Sequence, residues 1–152
     1  MAVDAYVLER TQRIPRPLGE VFPFFADAYN LEAITPPFLR FRILTPRPIP
    51  MAPGSCIDYR LQLFGIPFRW RTRIERFDPG VGFVDAQIRG PYRLWHHTHE
   101  FERAGDATHM RDVVRYALPL GPLGTLAHTI AVRRMLDEIF AFRRRRIEEI
   151  FA

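Results

Sequence analysis

From Cys56 to Leu118 the chain alternates apolar and polar positions with period two, the mark of half-buried strands. Ile57, Tyr59, Leu61 and Leu63 oppose Asp58, Arg60 and Gln62. After a Gly65-Ile66-Pro67 turn, Trp70, Thr72 and Ile74 oppose Arg69, Arg71, Arg73 and Glu75. Asp78-Pro79-Gly80 is the next turn, and Gly90-Pro91 separates two strands between Phe83 and Phe101. Gly105-Asp106 leads into a last strand, Thr108 to Leu118, with Met110, Asp112, Val114 and Tyr116 on one face. Upstream, Ala5 to Ile14 reads as a first strand and Leu18 to Phe25 as a short helix that Pro23 keeps short. Asp27 is placed to cap a second short helix running to Ile34, which Thr35-Pro36-Pro37 ends. Leu39 to Leu44 reads as a strand, followed by a proline-rich loop from Pro46 to Pro53. Beyond Pro119–Gly124 the period changes: Leu126, Ile130, Leu136, Ile139, Phe140, Ile147 and Ile150 recur at three- and four-residue steps. That stripe predicts one C-terminal helix of roughly 40 Å at 1.5 Å per residue.

The order is strand, two short helices, six strands joined mostly by hairpin-like turns, and a long helix. Short strand-to-strand links predict an antiparallel sheet, and a helix of that length needs one broad apolar surface to lie on. At 152 residues, one domain over 1–152 is expected, with no internal repeat. No apolar run approaches the roughly 18 residues of a membrane span. The N-terminal stretch lacks the apolar block of a signal peptide, so a cytoplasmic location is the default.

Composition narrows the chemistry. All 22 basic residues are arginine, which removes Schiff-base, pyridoxal and phosphate-loop lysine mechanisms. Ser55 and Cys56 are the only serine and cysteine. They follow a Pro53-Gly54 turn at a strand start, where a structural role suits them better than nucleophilic catalysis. Gly80-Val81-Gly82 lacks the rest of a nucleotide fingerprint, and no cofactor is expected. The net charge of +5 permits an anionic partner without establishing one. Arg60, Arg69, Arg71, Arg73, Arg111 and Arg115 oppose the apolar faces of their strands, and so fall on the outer face among acidic partners.

The densest candidate chemistry lies between Phe83 and Phe101. Trp95, His97, His99 and Phe101 share one strand face, two rings beside two imidazoles. An apolar wall with a few polar groups suits a ligand pocket. His97 and His99, with Asp85, Asp112 or His109 as a third group, have the chemistry to ligate a metal. An H-x-H pair on a strand is weak grounds for one, so no metal is assigned. Asp85, Gln87, His97, His99, Asp112 and Tyr116 form either an acid/base site, with Asp85 or His97 as general base, or a hydrogen-bond network that orders a pocket.

The residues that carry a family resemblance run along the chain. They include Pro17-x-x-x-Val21-Phe22-x-Phe24-Phe25, Ile34-Thr35-Pro36-Pro37, Gly54-x-x-Ile57-Asp58-Tyr59 and Gly65-Ile66-Pro67-x-x-Trp70. Further on come Asp85-x-Gln87-x-x-Gly90-Pro91-Tyr92-x-x-Trp95-x-His97-x-His99-x-Phe101, Asp112-x-Val114-x-Tyr116-x-Leu118-Pro119 and Ile139-Phe140-x-Phe142-Arg143. From about residue 4 to the end the chain resembles the SRPBCC superfamily, the helix-grip fold of START domains and polyketide cyclases. Within it, it is similar to bacterial ligand-binding members that also occur fused to epimerase-like domains. The resemblance implies an α+β fold, a curved seven-stranded antiparallel sheet wrapped around the C-terminal helix with two short helices after the first strand. It also implies a cavity between helix and sheet. Asp85 and Gln87 then face inward, although Val84, Ala86 and Ile88 would make an equally apolar face.

Three functions are consistent with this reading. The first is binding of a hydrophobic or amphipathic small molecule, lipid-like molecules included, by a carrier or sensor that is a monomer or homodimer. Tyr59, Trp70, Trp95, Phe101, Tyr116 and Phe140 would line the cavity, and Asp85, Gln87, His97, His99 and Asp112 would orient a polar end. The second is a cyclase or dehydratase using Asp85 or His97, so the sequence leaves enzyme status open. The third is a basic module contacting an anionic partner through outer arginines; nucleic acid is not expected, and peripheral membrane contact stays open.

Overall fold

The computed structural model describes residues 5–152. Seven strands form one antiparallel sheet: β1 (Tyr6–Ile14), β2 (Arg42–Ile43), β3 (Cys56–Leu63), β4 (Ile66–Asp78), β5 (Gly82–Arg89), β6 (Leu94–Ala104) and β7 (Ala107–Ala117). Their spatial order is β1-β7-β6-β5-β4-β3-β2. The hairpins from β3 to β7 therefore lie side by side in chain order, and β1 returns to close on β7. Between β1 and β2 sit helix α1 (Leu18–Phe25) and two 3-10 turns, Ala28–Ile34 and Pro37–Leu39. The C-terminal helix comprises α2 (Pro122–Ala127), a π turn (His128–Val132) and α3 (Arg133–Ile150). Among the described residues, no helix is long and apolar enough to cross a membrane.

Two apolar clusters divide the interior. The larger packs Ile57, Tyr59, Trp70, Ile74 and Val114 of the sheet against Met135, Leu136 and Phe140 of α3. The smaller seals one end of the fold, where Val21, Phe22 and Phe25 of α1 meet Phe83, Phe101, Met110, Ile147 and Phe151. The outer-face arginines stand as expected: Arg71 pairs with Asp58, and Arg111 with Glu9 and Glu100, all solvent-exposed.

Three sequence expectations change. The strand expected over Leu39–Leu44 is only the two-residue β2, because Arg40 takes a left-handed conformation (φ 46°) that breaks the extended run. The second short helix is a 3-10 turn, although Asp27 does cap it by accepting a hydrogen bond from the Tyr29 amide. The long helix buries a different stripe at its start: Leu126 and Ile130 face solvent, while Gly124, His128 and Val132 face inward. Two contacts fix that face. A β-carbon on Gly124 would lie 2.1 Å from the Pro119 carbonyl oxygen, so only glycine allows this approach. The Tyr116 hydroxyl and His128 Nε2 sit 2.7 Å apart in a hydrogen bond. The π turn inserts extra backbone at this point, and the stripe resumes beyond it as Leu136, Phe140, Arg143 and Ile147.

Candidate functional site

Between the concave face of the sheet and α3 lies a cavity of about 170 Å³. Its apolar walls are built from positions on one strand face, Ile57, Tyr59 and Leu61 on β3 and Trp70 and Ile74 on β4, facing Leu136, Ile139 and Phe140 on the helix. Trp70, Tyr92 and Trp95 form an aromatic cluster along one side, with ring centroids 4.8 to 5.6 Å apart. Asp85, His97, His99 and Arg143 form one polar corner.

Cross-strand register assembles that corner. Asp85 pairs with His97 across β5 and β6, and His99 pairs with Asp112 across β6 and β7. The side chains bond one step along: His97 Nε2 lies 2.8 Å from Asp112 Oδ1, and His99 Nε2 lies 2.6 Å from Asp85 Oδ2. The imidazoles stack with centroids 3.6 Å apart, and Phe83 stacks on the far side of His99. Arg143 reaches in from α3 and donates to Asp112 over 3.3 Å.

Electrostatics set the protonation states. Burial alone would raise the Asp112 carboxyl, but the Arg143 guanidinium and the His97 hydrogen bond outweigh it and hold it well below the usual carboxylate range. Asp85 is governed the same way: burial pushes it up, and the His99 hydrogen bond brings it lower than normal. Burial, helped by the adjacent His97, pushes His99 down to about 4. At neutral pH the corner therefore holds two carboxylates, a guanidinium and a neutral His99 ring. Burial also raises the Tyr59 and Tyr92 hydroxyls, so both stay protonated.

Three buried polar atoms have no hydrogen-bond partner among the described residues: Trp70 Nε1, His99 Nδ1 and Arg143 Nε. All three belong to residues that line the cavity. Native interiors rarely leave such groups unpaired, since each costs about 1–3 kcal/mol.

Of the residues singled out from sequence, Tyr59, Trp70, Asp85, Trp95, His97, His99 and Phe140 line the cavity. Four do not. Gln87 bonds the backbone of Tyr92 through both amide atoms and so braces the β5–β6 turn. Phe101 shares the face of His97 and His99 but lies at the sealed end, with Phe22 and Phe25 each 5.3 Å away. Tyr116 turns to His128. Asp112 stands behind His97 and faces a separate polar cleft with Gln12 and Arg144. Arg143 and Tyr92 were not among the expected site residues, although Arg143, nearest the apolar stripe of the four arginines 143–146, was the one expected to reach inward, and Tyr92 stood in the motif that carries the resemblance.

Asp85, His97 and His99 also present ligand-type atoms within 4.8 Å of one another. The donor set does not suit a cation. Both Nε2 atoms already serve carboxylates, the rings stack instead of converging, and a guanidinium occupies the neighbouring space.

The comparisons agree with this architecture. The family model described as polyketide cyclase / dehydrase and lipid transport matches residues 14–141. No curated protein sequence matches the chain. Among solved structures, the chain is similar to the Zhui aromatase/cyclase from Streptomyces sp. R1128, with 14% identity, 98% of each chain covered and a TM-score of 0.69. It is also similar to a START superfamily protein from Mycobacterium smegmatis, with 14% identity, 95% of this chain and 98% of that one covered and a TM-score of 0.66. A protein from Chromobacterium violaceum superposes with a TM-score of 0.72 at 12% identity, covering 96% of this chain and 97% of its own. With the family model spanning most of the sequence and the helix-grip architecture in place, the chain belongs to the polyketide cyclase / dehydrase and lipid transport family of the SRPBCC superfamily.

Proposed function

We propose that this protein binds an amphipathic small molecule in the cavity between the sheet and α3, as a carrier or sensor. The three unpartnered polar atoms carry the reading. Trp70 Nε1–H and Arg143 Nε–H are donors without acceptors, beside walls that are otherwise apolar. An occupant with an apolar body and an oxygen acceptor at each donor satisfies both. Its body lies against Tyr59, Trp95, Leu136 and Phe140, and its oxygen lies near Arg143, where a guanidinium favours a carboxylate, enolate or phenolate. A start inside one family says little about chemistry, because this fold hosts several activities.

The second reading is an enzyme of the cyclase or dehydratase type. It is favoured by the His99–Asp85 pair, in which a carboxylate orients an imidazole on the cavity wall. It stands second because of proton affinity. A ring held near 4 is a weak base at neutral pH, and both carboxylates are already committed to histidine or arginine.

Native mass spectrometry of the purified protein tests the first reading, followed by titration with 1-anilinonaphthalene-8-sulfonate read through Trp70 and Trp95 fluorescence. A retained small-molecule mass, and quenching that Arg143→Met weakens about tenfold, are expected. A protein that carries no adduct and leaves the probe unbound overturns the proposal. His99→Gln separates the two readings: a carrier keeps most of its affinity, whereas an enzyme loses turnover while binding persists.

A further inference from the structure

Six of the exposed apolar residues stand around one end of the fold, while Val81, in the β4–β5 turn, stands at the other. Register places the β3–β4 turn, the β5–β6 turn and the β7–α2 connection at the same end of the sheet, with the β3–β4 turn projecting beyond the level of Arg71 and Arg89, where the β5–β6 turn begins. Around this end stand Phe64, Ile66, Leu120, Leu123, Leu126 and Ile130, each between 56% and 74% exposed. The opposite end is the one sealed by Phe22, Phe25 and Phe101. Cavity residues Leu63, Tyr92 and Trp95 come from the strand ends and turn of this exposed end.

Charge follows the same geography. The segments 59–74, 86–99 and 113–136, which include the turns of this end, contain no aspartate or glutamate. They carry arginines throughout, and Arg60, Arg69, Arg89 and Arg93 make no salt bridge among the described residues. Backbone conformation adds a third, independent sign. Phe64 (φ 53°) and Leu120 (φ 73°) are in the left-handed region, which disfavours bulky L side chains. Both side chains point to solvent, so packing within the fold gives no compensation for that strain.

We propose that this end docks on the surface of a bilayer containing anionic lipids. Phe64 and Ile66 on one side, and Leu120, Leu123 and Leu126 on the other, enter the boundary between headgroups and acyl chains. The arginines meet phosphates. A bilayer satisfies apolar tips and cations together without demanding a complementary shape, which suits separated turns better than a flat protein interface does. Docking in this orientation sets the end that carries Leu63, Tyr92 and Trp95 against the lipid. It requires no occupant in the cavity, so it stands or falls separately from the binding function proposed above.

Flotation of the full chain with vesicles tests it, comparing phosphatidylcholine alone with phosphatidylcholine plus phosphatidylglycerol. The protein floats with the anionic vesicles, less with the neutral ones, and added salt weakens it. Phe64→Asn and Leu120→Asn place a residue that tolerates the left-handed region. Each lowers vesicle affinity roughly tenfold or more, the worth of one buried Leu or Phe side chain, while the melting temperature holds or rises. Leu123→Ser, on the helix and free of turn geometry, gives a similar loss should either asparagine variant fail to fold. No flotation at low salt overturns the proposal, as does undiminished flotation of the three variants. So does a dimer in sedimentation that the same variants dissociate, which reassigns the face to a second copy of the chain.

Discussion

Acidification from pH 7 to pH 5 should destabilise the protein through His99. The unfolded imidazole titrates at its ordinary value of 6.5, whereas burial holds the native ring near 4. At pH 5 the unfolded chain is protonated there and the native chain is not, so protons pull toward unfolding. The stability contributed by this group is complete above 6.5 and is lost as pH falls toward 4. The gap of about 1.5 pH units at pH 5 is worth about 2 kcal/mol, rising to about 3 kcal/mol near pH 4. Asp85 and Asp112 act in the same sense, but only at more acidic pH, because their ordinary value is 3.8 and both are lowered in the fold. His128, also lowered by burial and by Arg133, adds in the same direction. Urea denaturation at pH 7, 6 and 5 measures the slope, and His99→Gln supplies the control. The amide still donates to Asp85 and cannot titrate. The variant should lose roughly 2 kcal/mol of the wild-type difference between pH 7 and pH 5. A wild-type stability that is flat over this interval, or a variant with an unchanged slope, would refute the account of His99 as a buried neutral ring.

Asp112→Asn leaves Arg143 buried beside an uncharged amide, and should cost about 3–5 kcal/mol in denaturant midpoint at neutral pH. A loss under about 1 kcal/mol would show that Arg143 escapes to solvent when its partner is removed. Gly82→Ala puts a β-carbon 2.3 Å from the carbonyl oxygen of His99, a backbone contact that cannot yield without moving β6. It should destabilise by about 1–3 kcal/mol and weaken probe binding with it, since the displaced strand carries both histidines. Calorimetry and probe titration on the same sample check that the two losses travel together.

The sequence alone determined the architecture. Period-two alternation and turn residues marked β3 to β7, and the apolar stripe marked α3, because these patterns are local and burial on one face imposes them directly. The same alternation placed His97 and His99 on inward positions and sent Arg60, Arg69 and Arg71 outward, whereas Asp85 was set inward by the family resemblance alone, since Val84, Ala86 and Ile88 offered an equally apolar face. What alternation cannot encode is where along a face the cavity begins and ends. Trp95, His97, His99 and Phe101 are equivalent to a periodicity argument. Only the packing of α1 over one end makes Phe101 core and leaves the others facing open space. Tyr116, inward-facing by pattern, and Gln87, inward by the resemblance, are taken by His128 and the Tyr92 backbone, partners that only the folded chain brings near. Leu126 and Ile130 show the same division. Their spacing fits a buried stripe, yet the close approach of Gly124 to Pro119 and the Tyr116–His128 bond turn the helix so that both face outward. Periodicity records which residues share a face. Contacts between distant segments decide what that face meets, and those contacts gave this protein its polar corner and its exposed apolar end.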